Sequence, residues 1–277
     1  MAQHRMNSQR RPLIQFVLCD IDGTLLRPDH SLSPANIEAI GQLRAAGIQF
    51  TLASSRPPRA MRQQVEALGI DLPTVAFNGG LITHPDGRVM SAHRIPQAAA
   101  IASLAMFADH ACAVWVFADD EWLLLDPNGA YVDHERRTLG YDPILVPSFE
   151  PYLDRIDKIV AASADHALLK RLEAQVNPHI AGLALASRSQ VYYLDVNAVA
   201  ANKGAALVTL AEYVGVSLAH TAAIGDGGND VAMFHKAGLS IAMGQGEESV
   251  RSQADYVTGS NLEDGVATAI KRYILPA

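Results

Sequence analysis

Phe16-Val17-Leu18-Cys19-Asp20-Ile21-Asp22-Gly23-Thr24 is the stretch on which the reading of the fold turns. The apolar run from Leu13 to Cys19 has the unbroken hydrophobicity of a parallel-sheet strand covered on both faces. It stops abruptly at Asp20 and Asp22, followed by a glycine and a threonine. Open α/β sheets bind their ligands at the carboxyl ends of strands. Two carboxylates two residues apart leave strand geometry for a loop there, so both can lean into one crevice. Each costs desolvation and neither is needed for folding. The functional reading is a nucleophilic Asp20 with Asp22 as general acid/base. The competing reading is a solvated strand-end turn, because Asp-Gly is ordinary turn chemistry.

Downstream, Leu25 to Leu32 carries Pro28 and Asp29 and reads as a small hairpin or flap beside the acidic end. Ser33-Pro34 opens a helix, with Ser as N-cap and Pro at the first helical position. Ile37, Ile40 and Leu43 give it one apolar face, and Gly47 stops it. Ile48 to Ala53 is the next buried strand, which makes a βαβ unit with a right-handed crossover. This strand ends in Ser54-Ser55-Arg56-Pro57. Hydroxyls there can donate to a phosphate oxygen, and Arg56 can pair with an anion or brace the loop. Alternatively a serine caps the helix that follows (Met61, Val65, Leu68, stopped by Gly69). Thr74 to Phe77 is a third strand. It ends in Asn78-Gly79-Gly80, whose backbone N–H groups either face a ligand or form a bare turn.

After Gly80 the texture changes. A hairpin spans Leu81 to Ile95 around His84-Pro85-Asp86-Gly87. A helix, two strands (Cys112–Phe117 and Trp122–Leu125), an irregular stretch over 126–155, a strand near Lys158–Ala162, a helix near 165–176 and a last strand pair (Leu183–Ser187, Val191–Val196) follow. Residues 83–196 therefore read as an inserted α+β domain, between core segments 1–82 and 197–277. The βαβ texture then returns. Asn202-Lys203-Gly204 opens a helix, and the strand Thr221–Ile224 ends in Gly225-Asp226-Gly227-Gly228-Asn229-Asp230. A helix, the strand Leu239–Met243, a short strand near 254–258 and a closing helix over 263–274 complete an α/β core of Rossmann-like, doubly wound type.

Composition narrows the function classes. The chain has 277 residues, enough for two moderate domains, and 49% are hydrophobic, which argues against disorder. Net charge is 22 − 29 = −7. An acidic chain without a long basic run is a poor nucleic-acid binder, although a local site can still attract phosphate. Cys19 and Cys112 match no metal or redox spacing. Residues 1–12 are polar, with Arg5, Arg10 and Arg11, and read as a short disordered start. No stretch approaches ~18 uninterrupted apolar residues, so a cytoplasmic protein with no membrane partner is expected. Oligomeric state has no signature in the sequence.

Strand ends thus supply Asp20, Asp22, Ser54, Asp226 and Asp230, with Lys203 at a helix start. Like charges 4 Å apart cost about 4 kcal/mol at an effective dielectric near 20. A divalent cation resolves that repulsion, and all-oxygen ligation with open positions suits Mg²⁺. Lys203 and the helix start at Gly228-Asn229 add positive charge for a phosphate. An EF-hand fails, because counting from Asp20 its sixth position is Leu25 and its twelfth Ser31. Neither a P-loop nor a G-x-G-x-x-G occurs, and the ten histidines show no metal pairing.

Asp20-Ile21-Asp22-Gly23-Thr24, the strand-end Ser54, Lys203 and Gly225-Asp226-Gly227-Gly228-Asn229-Asp230 together resemble the four motifs of the haloacid dehalogenase superfamily of phosphatases. The large insertion between the second and third motifs, and the Asn78-Gly79-Gly80 turn before it, are similar to the Cof-type subfamily with its type IIB α/β cap. Ser55 departs from that pattern, which usually has glycine there. The resemblance implies that Asp20 attacks phosphorus to form an aspartyl-phosphate. Asp22 protonates the leaving oxygen and then deprotonates the hydrolytic water. It further implies that Mg²⁺ is held by Asp20, the Asp22 carbonyl and Asp226. Ser54, Lys203, Asn229 and the backbone near Ile21 and Ser55 would bind phosphoryl oxygens. Thr24, Arg56, Asn78, Gly79 and Asp230 would support the site. The substrate is then a small phosphorylated metabolite, a sugar phosphate or a phosphorylated cofactor, selected by the cap. Its polar candidates are Tyr131, His134, Arg136, Arg137, Lys158, Arg188 and Tyr192. Tyr192 and Tyr193 alternate along a strand, so at most one is expected to face the crevice. The alternatives are a phosphomutase on the same scaffold and a non-enzymatic phospho-acceptor or sensor.

Overall fold

A computed structural model describes residues 13–276. The polar start expected over 1–12 lies outside them. In chain order the first strands and helices are β1 (Phe16–Asp20), α1 (Pro34–Ala45), β2 (Gln49–Ala53), α2 (Arg62–Leu68), β3 (Thr74–Ala76), β4 (Leu81–Thr83) and β5 (Val89–Ala92). The next are α3 (Gln97–Ala108), β6 (Ala113–Ala118), β7 (Glu121–Leu124), α4 (Val132–Leu139), β8 (Ile144–Leu145), β9 (Ile156–Ala162), α5 (His166–Ile180), β10 (Ala184–Gln190) and β11 (Tyr193–Ala198). The chain closes with α6 (Lys203–Tyr213), β12 (Thr221–Gly225), α7 (Val231–Phe234), β13 (Leu239–Ala242), α8 (Glu248–Arg251), β14 (Tyr256–Val257) and α9 (Gly265–Ala269), continued by a π-turn over Ile270–Ile274.

Eight strands form one sheet in the order β14-β13-β12-β1-β2-β3-β4-β5. The six from β14 to β3 are parallel, and β4 and β5 add an antiparallel edge. From β1 the chain winds one way through β2 and β3, then returns and winds the other way from β12. β1 therefore stands at the switch point, where a doubly wound sheet opens a crevice at its carboxyl edge. β1 is buried throughout, which is why it reads as an unbroken apolar run. Ser33 Oγ accepts from the Asn36 N–H at 3.1 Å, and Pro34 begins α1, as the sequence predicts. Asn202 Oδ1 caps α6 by accepting from the Ala205 N–H at 2.8 Å.

A second sheet has the order β10-β11-β9-β6-β7-β8 and is antiparallel except where β8 joins β7. α3 and α5 cover one face, with Val116, Ile159, Leu172 and Leu194 in the shared core. The opposite face, with Trp115, Phe117 and Trp122, joins the hydrophobic cluster of the main domain.

Several expectations need correction. The hairpin after Gly80 is hydrogen-bonded to β3 and extends the large sheet, whereas the sequence reading gave it to the inserted domain. β11 runs to Ala198, beyond the expected end at 196. We therefore place the insertion between the linkers 93–96 and 199–202. β3 stops one residue early, because Phe77 and Asn78 both take positive φ (50° and 58°). The stretch 126–155 contains α4 and β8. α4 buries only Val132 and Leu139 and has no capping side chain, so it carries little helical signature. Among the described residues no helix is long and apolar enough to cross a membrane.

Candidate active site

The register of the large sheet aligns the motif ends. Asp20 lies opposite Ala53 and Cys19 opposite Ile224, so Asp20, Ser54 and Asp226 leave their strands at one level. Lys203 is the first residue of α6 and has no exposed surface. Its ammonium is ion-paired with Asp20 Oδ1 and lies 2.6 Å from Asp230 Oδ1. Asp230 Oδ2 accepts from the N–H groups of Asp226 and Gly227, both at 2.9 Å. Thr24 Oγ1 donates to Asp226 Oδ1 at 2.9 Å. Asp20, Asp22, Thr24, Lys203, Asp226 and Asp230 thus come from motifs more than 200 residues apart and meet at one sheet edge.

Glycines let these groups approach. Gly23 has φ +79°, and a Cβ there would stand 2.4 Å from Asp226 Oδ2. A Cβ on Gly204 would lie 2.3 Å from the Ala232 carbonyl oxygen, so glycine allows α6 to reach α7.

Asp20, Asp226 and Asp230 each offer an oxygen within 4.8 Å of the others. Both Asp230 oxygens are engaged within the protein. By contrast, among the described residues no hydrogen-bond donor reaches Asp20 Oδ2 or Asp226 Oδ2. Burial pushes the Asp20 carboxyl well up, Lys203 opposes this, and Asp230 and Asp226 add to it. Burial, with the Asp230 charge, pushes Asp226 up to about 6. Burial alone would push the Lys203 ammonium down, but Asp20 and Asp230 outweigh it and hold it up. Two buried carboxylates and a half-buried one thus face one ammonium, and two free hard oxygens sit where excess negative charge accumulates. This donor set fits a hard divalent cation.

Asp22 departs from the picture of two carboxylates leaning into one crevice. Its oxygens are held by Arg56, at 2.7 Å from Nε and 2.6 Å from NH2. His30, on the flap, approaches both, with Nδ1 3.3 Å from Arg56 NH2 and 3.7 Å from Asp22 Oδ1. Arg56 therefore braces an acid of the site and is not a free anion receptor. Ser54 is buried, and its Oγ accepts from the Arg56 N–H at 3.1 Å. Ser55 is half-buried and its hydroxyl makes no hydrogen bond among the described residues. The Ile21 carbonyl accepts from the Leu26 N–H at 2.9 Å and closes the motif loop. Asn78 and Gly80 do not present their N–H groups to a ligand, since these donate to the Ser54 and Phe77 carbonyls at 2.8 and 3.1 Å. Asn78 Oδ1 accepts from Asn229 Nδ2 at 2.9 Å, and Gly79 packs on the Asn202 backbone, where a Cβ would lie 2.6 Å from its carbonyl oxygen. Gln245, unremarked in the sequence, donates to the Gly23 carbonyl and accepts from the Asn261 N–H. It lies in an ordinary loop, and only tertiary structure brings it there.

Of the cap candidates, Lys158 is buried and ion-paired with Asp195 at 2.6 Å. Arg136 and Arg188 form ion pairs within the cap, with Asp142 at 2.8 Å and Glu173 at 2.7 Å. Arg137 is exposed. Tyr131 and Tyr192 stack at 4.6 Å, with His134 edge-on to both. Tyr192 falls in the β10–β11 turn, so strand alternation does not separate it from Tyr193. Both rings touch Tyr131.

A family model described as haloacid dehalogenase-like hydrolase matches residues 17–270, and the chain belongs to that family. It is 27% identical to the pyridoxal phosphate phosphatase YbhA of Escherichia coli, covering 94% of this chain and 99% of the relative. It is 27% identical to the 5-amino-6-(5-phospho-D-ribitylamino)uracil phosphatase YcsE of Bacillus subtilis, covering 98% and 100%. An HMP-PP phosphatase of Cronobacter sakazakii is 30% identical, covering 81% and 82%. Among solved structures, a haloacid dehalogenase-like hydrolase from Bacteroides thetaiotaomicron superposes with TM-score 0.86 at 26% identity, over 94% of this chain and 99% of that one. A HAD subclass IIB sugar phosphatase gives 0.80 at 26%, over 94% and 98%. The protein is an enzyme of the phosphoric monoester hydrolase class.

Proposed function

We propose that the enzyme is a Mg²⁺-dependent phosphatase of small phosphorylated metabolites, working through a phosphoryl group carried on Asp20. The observation that carries this reading is the pairing of free oxygens, Asp20 Oδ2 and Asp226 Oδ2, beside a lysine that already occupies Asp20 Oδ1. The relatives named for pyridoxal phosphate, HMP-PP and a phosphoribitylamino-uracil support the substrate scale. Asp20, Asp226 and the Asp22 carbonyl would hold the cation, whose charge offsets the carboxylates and draws in the phosphate.

Asp20 attacks phosphorus as the ester P–O bond breaks. Asp22 gives the departing oxygen its proton, for which it must exchange Arg56 for the leaving group. Asp22 then takes a proton from the water that attacks the phosphorylated Asp20, releasing phosphate and restoring both carboxyls. Lys203 fixes the Asp20 carboxylate and adds positive charge beside the phosphoryl oxygens. Ser54, whose hydroxyl hydrogen is uncommitted, and Asn229 donate to those oxygens. Catalysis is mainly positioning and charge stabilisation.

The test is phosphate release from a panel of phosphorylated metabolites, with and without Mg²⁺. Asp20→Asn should lower release by about a thousandfold or more with an unchanged fold by circular dichroism. Activity retained in that variant, or indifference to chelation, would remove this reading.

A further inference from the structure

Away from the catalytic crevice, the main and inserted domains enclose a second cavity of about 240 Å³. Its floor is the β3–β4 pair of the large sheet, where Thr74 and Thr83 stand opposite each other. Val65 of α2, with Leu81 and Val89 of the hairpin, adds apolar wall. The inserted domain closes the other side with Asp119 and Asp120, from the β6–β7 turn, and Asp157, from β9. β2 separates this floor from β1, and none of the residues assigned to the phosphatase chemistry lines the cavity.

Uncommitted polar groups meet in this cavity. Asp157 is 1% exposed, yet neither of its carboxyl oxygens is met by a donor in hydrogen-bond geometry among the described residues. Arg94 Nε stands 3.4 Å from Oδ1, while Arg94 NH2 donates to Asp119 Oδ1 at 3.1 Å. Arg62 NH2 is likewise engaged, with Asp120 Oδ2 at 3.3 Å. Thr74 and Thr83 are buried, and their hydroxyls make no hydrogen bond among the described residues. A buried acceptor without a donor is costly, and a ligand that supplies the donor removes that cost.

We propose that this cavity binds a small organic ammonium ion, an amine with a short apolar stem, and that the bound amine clamps the inserted domain to the main domain. An ionised carboxylate only accepts hydrogen bonds, so the unmatched Asp157 calls for a donor. Three carboxylates line the cavity against two guanidinium groups, which favours a cation over an anion. A bare metal ion finds too few ligands here. Among the described residues, Asp20, Asp226 and Asp230 are the one grouping of three ligating side chains close enough to share an ion. An ammonium instead brings three N–H donors, for which Asp157 and the two threonine hydroxyls are acceptors. Its stem lies along Val65, Leu81 and Val89, as the stems of amphipathic side chains do. The volume falls below the ~300–1,000 Å³ of pockets for drug-sized ligands, so the amine is short. Both domains wall the cavity, so an occupant that needs both walls stabilises the arrangement in which they meet. The site does not depend on the phosphatase reading.

The experiment titrates butylamine into the full-length protein by calorimetry, with butyrate and butanol as controls of matched size. Saturating Mg²⁺ screens the catalytic carboxylates from the amine. At pH 8 the amine is charged and Asp157 is ionised. Wild type should bind butylamine in the millimolar range or tighter, and butyrate and butanol at least about tenfold more weakly. Asp157→Asn, which keeps the side-chain shape, should weaken butylamine at least about tenfold, and Thr83→Val about threefold. Butylamine should also slow amide hydrogen exchange of wild type in the linker 93–96 and the turn 118–121. The site is overturned if ~10 mM butylamine gives no binding, if butyrate or butanol binds as well, or if both variants bind butylamine as wild type does. Binding that is lost in Asp157→Asn but leaves exchange at 93–96 and 118–121 unchanged in wild type overturns the clamp and keeps the site.

Discussion

Lys203 has no exposed surface and is shared by two carboxylates of different strand ends, so its charge is structural as well as chemical. Removing one member of a buried ionic group leaves the others uncompensated, at a cost of about 3–5 kcal/mol. Lys203→Met should therefore lower the melting temperature by about 2–4 °C for each kcal/mol lost. Adding Asp20→Asn to that variant should recover part of the loss, because one stranded carboxylate disappears. Thermal melting of the two single variants and the double one measures the coupling. A double variant that melts no higher than Lys203→Met would show that the lysine acts only through packing. These residues were legible in the sequence because each stands where a buried strand or a helix start turns polar. Asp20, Asp226 and Lys203 are of that kind. The bidentate hold of Arg56 on Asp22, the approach of His30 and the buttress from Gln245 were not. They depend on which loops meet across the sheet edge, and no local pattern of charge or period encodes that.

α6 and α7 position Lys203 and Asp230, and their close approach depends on Gly204. A Cβ at Gly204 meets the Ala232 carbonyl at 2.3 Å, so alanine must push the two helices apart. Gly204→Ala should cost about 1–3 kcal/mol. It should also reduce phosphate release, since Lys203 moves with its helix. Gly41 offers the opposite case within α1, where a Cβ would have no atom within 4 Å. There Gly→Ala should stabilise by about 0.5–1 kcal/mol through helix propensity alone. Denaturant melts of the two variants check the contrast, and equal effects would mean that helix approach is not what Gly204 serves. Elements with strong caps or long apolar runs, such as α1, α6 and β1, are visible in the sequence. α4 is not, because it buries two residues and owes its existence to the cap sheet and the core loop it bridges. β4 and β5 read as a hairpin, but the sequence places them with the inserted domain, since a hairpin pattern does not say which sheet edge it joins.

At the scale of the molecule, core and cap are joined where charged residues gather around Asp157, at the foot of β9. Arg94, from the first linker, lies 3.4 Å from Asp157 Oδ1 and 3.1 Å from Asp119 Oδ1. Asp157 is 1% exposed, and burial pushes its carboxyl up to about 6, against the pull of Arg94. In the unfolded chain an aspartate titrates near 3.9. The folded protein therefore binds this proton more tightly than the unfolded chain does. Between about pH 4 and 6 stability falls as pH rises, and above that window a constant penalty on the order of 2–3 kcal/mol remains. The sign is opposite to that of an aspartate whose carboxyl an ion pair holds down. Asp226, pushed up by burial in the same range, contributes the same slope, so the wild-type curve alone does not isolate Asp157. The difference between wild type and Asp157→Asn does. The variant should melt above wild type at pH 8, and the gap should close as pH approaches 4. A variant less stable than wild type at pH 8, by a margin that shrinks as pH falls toward 4, would show that the Arg94 ion pair outweighs the desolvation of Asp157. The junction would then be held by that pair, where the present geometry has it held in spite of the buried charge.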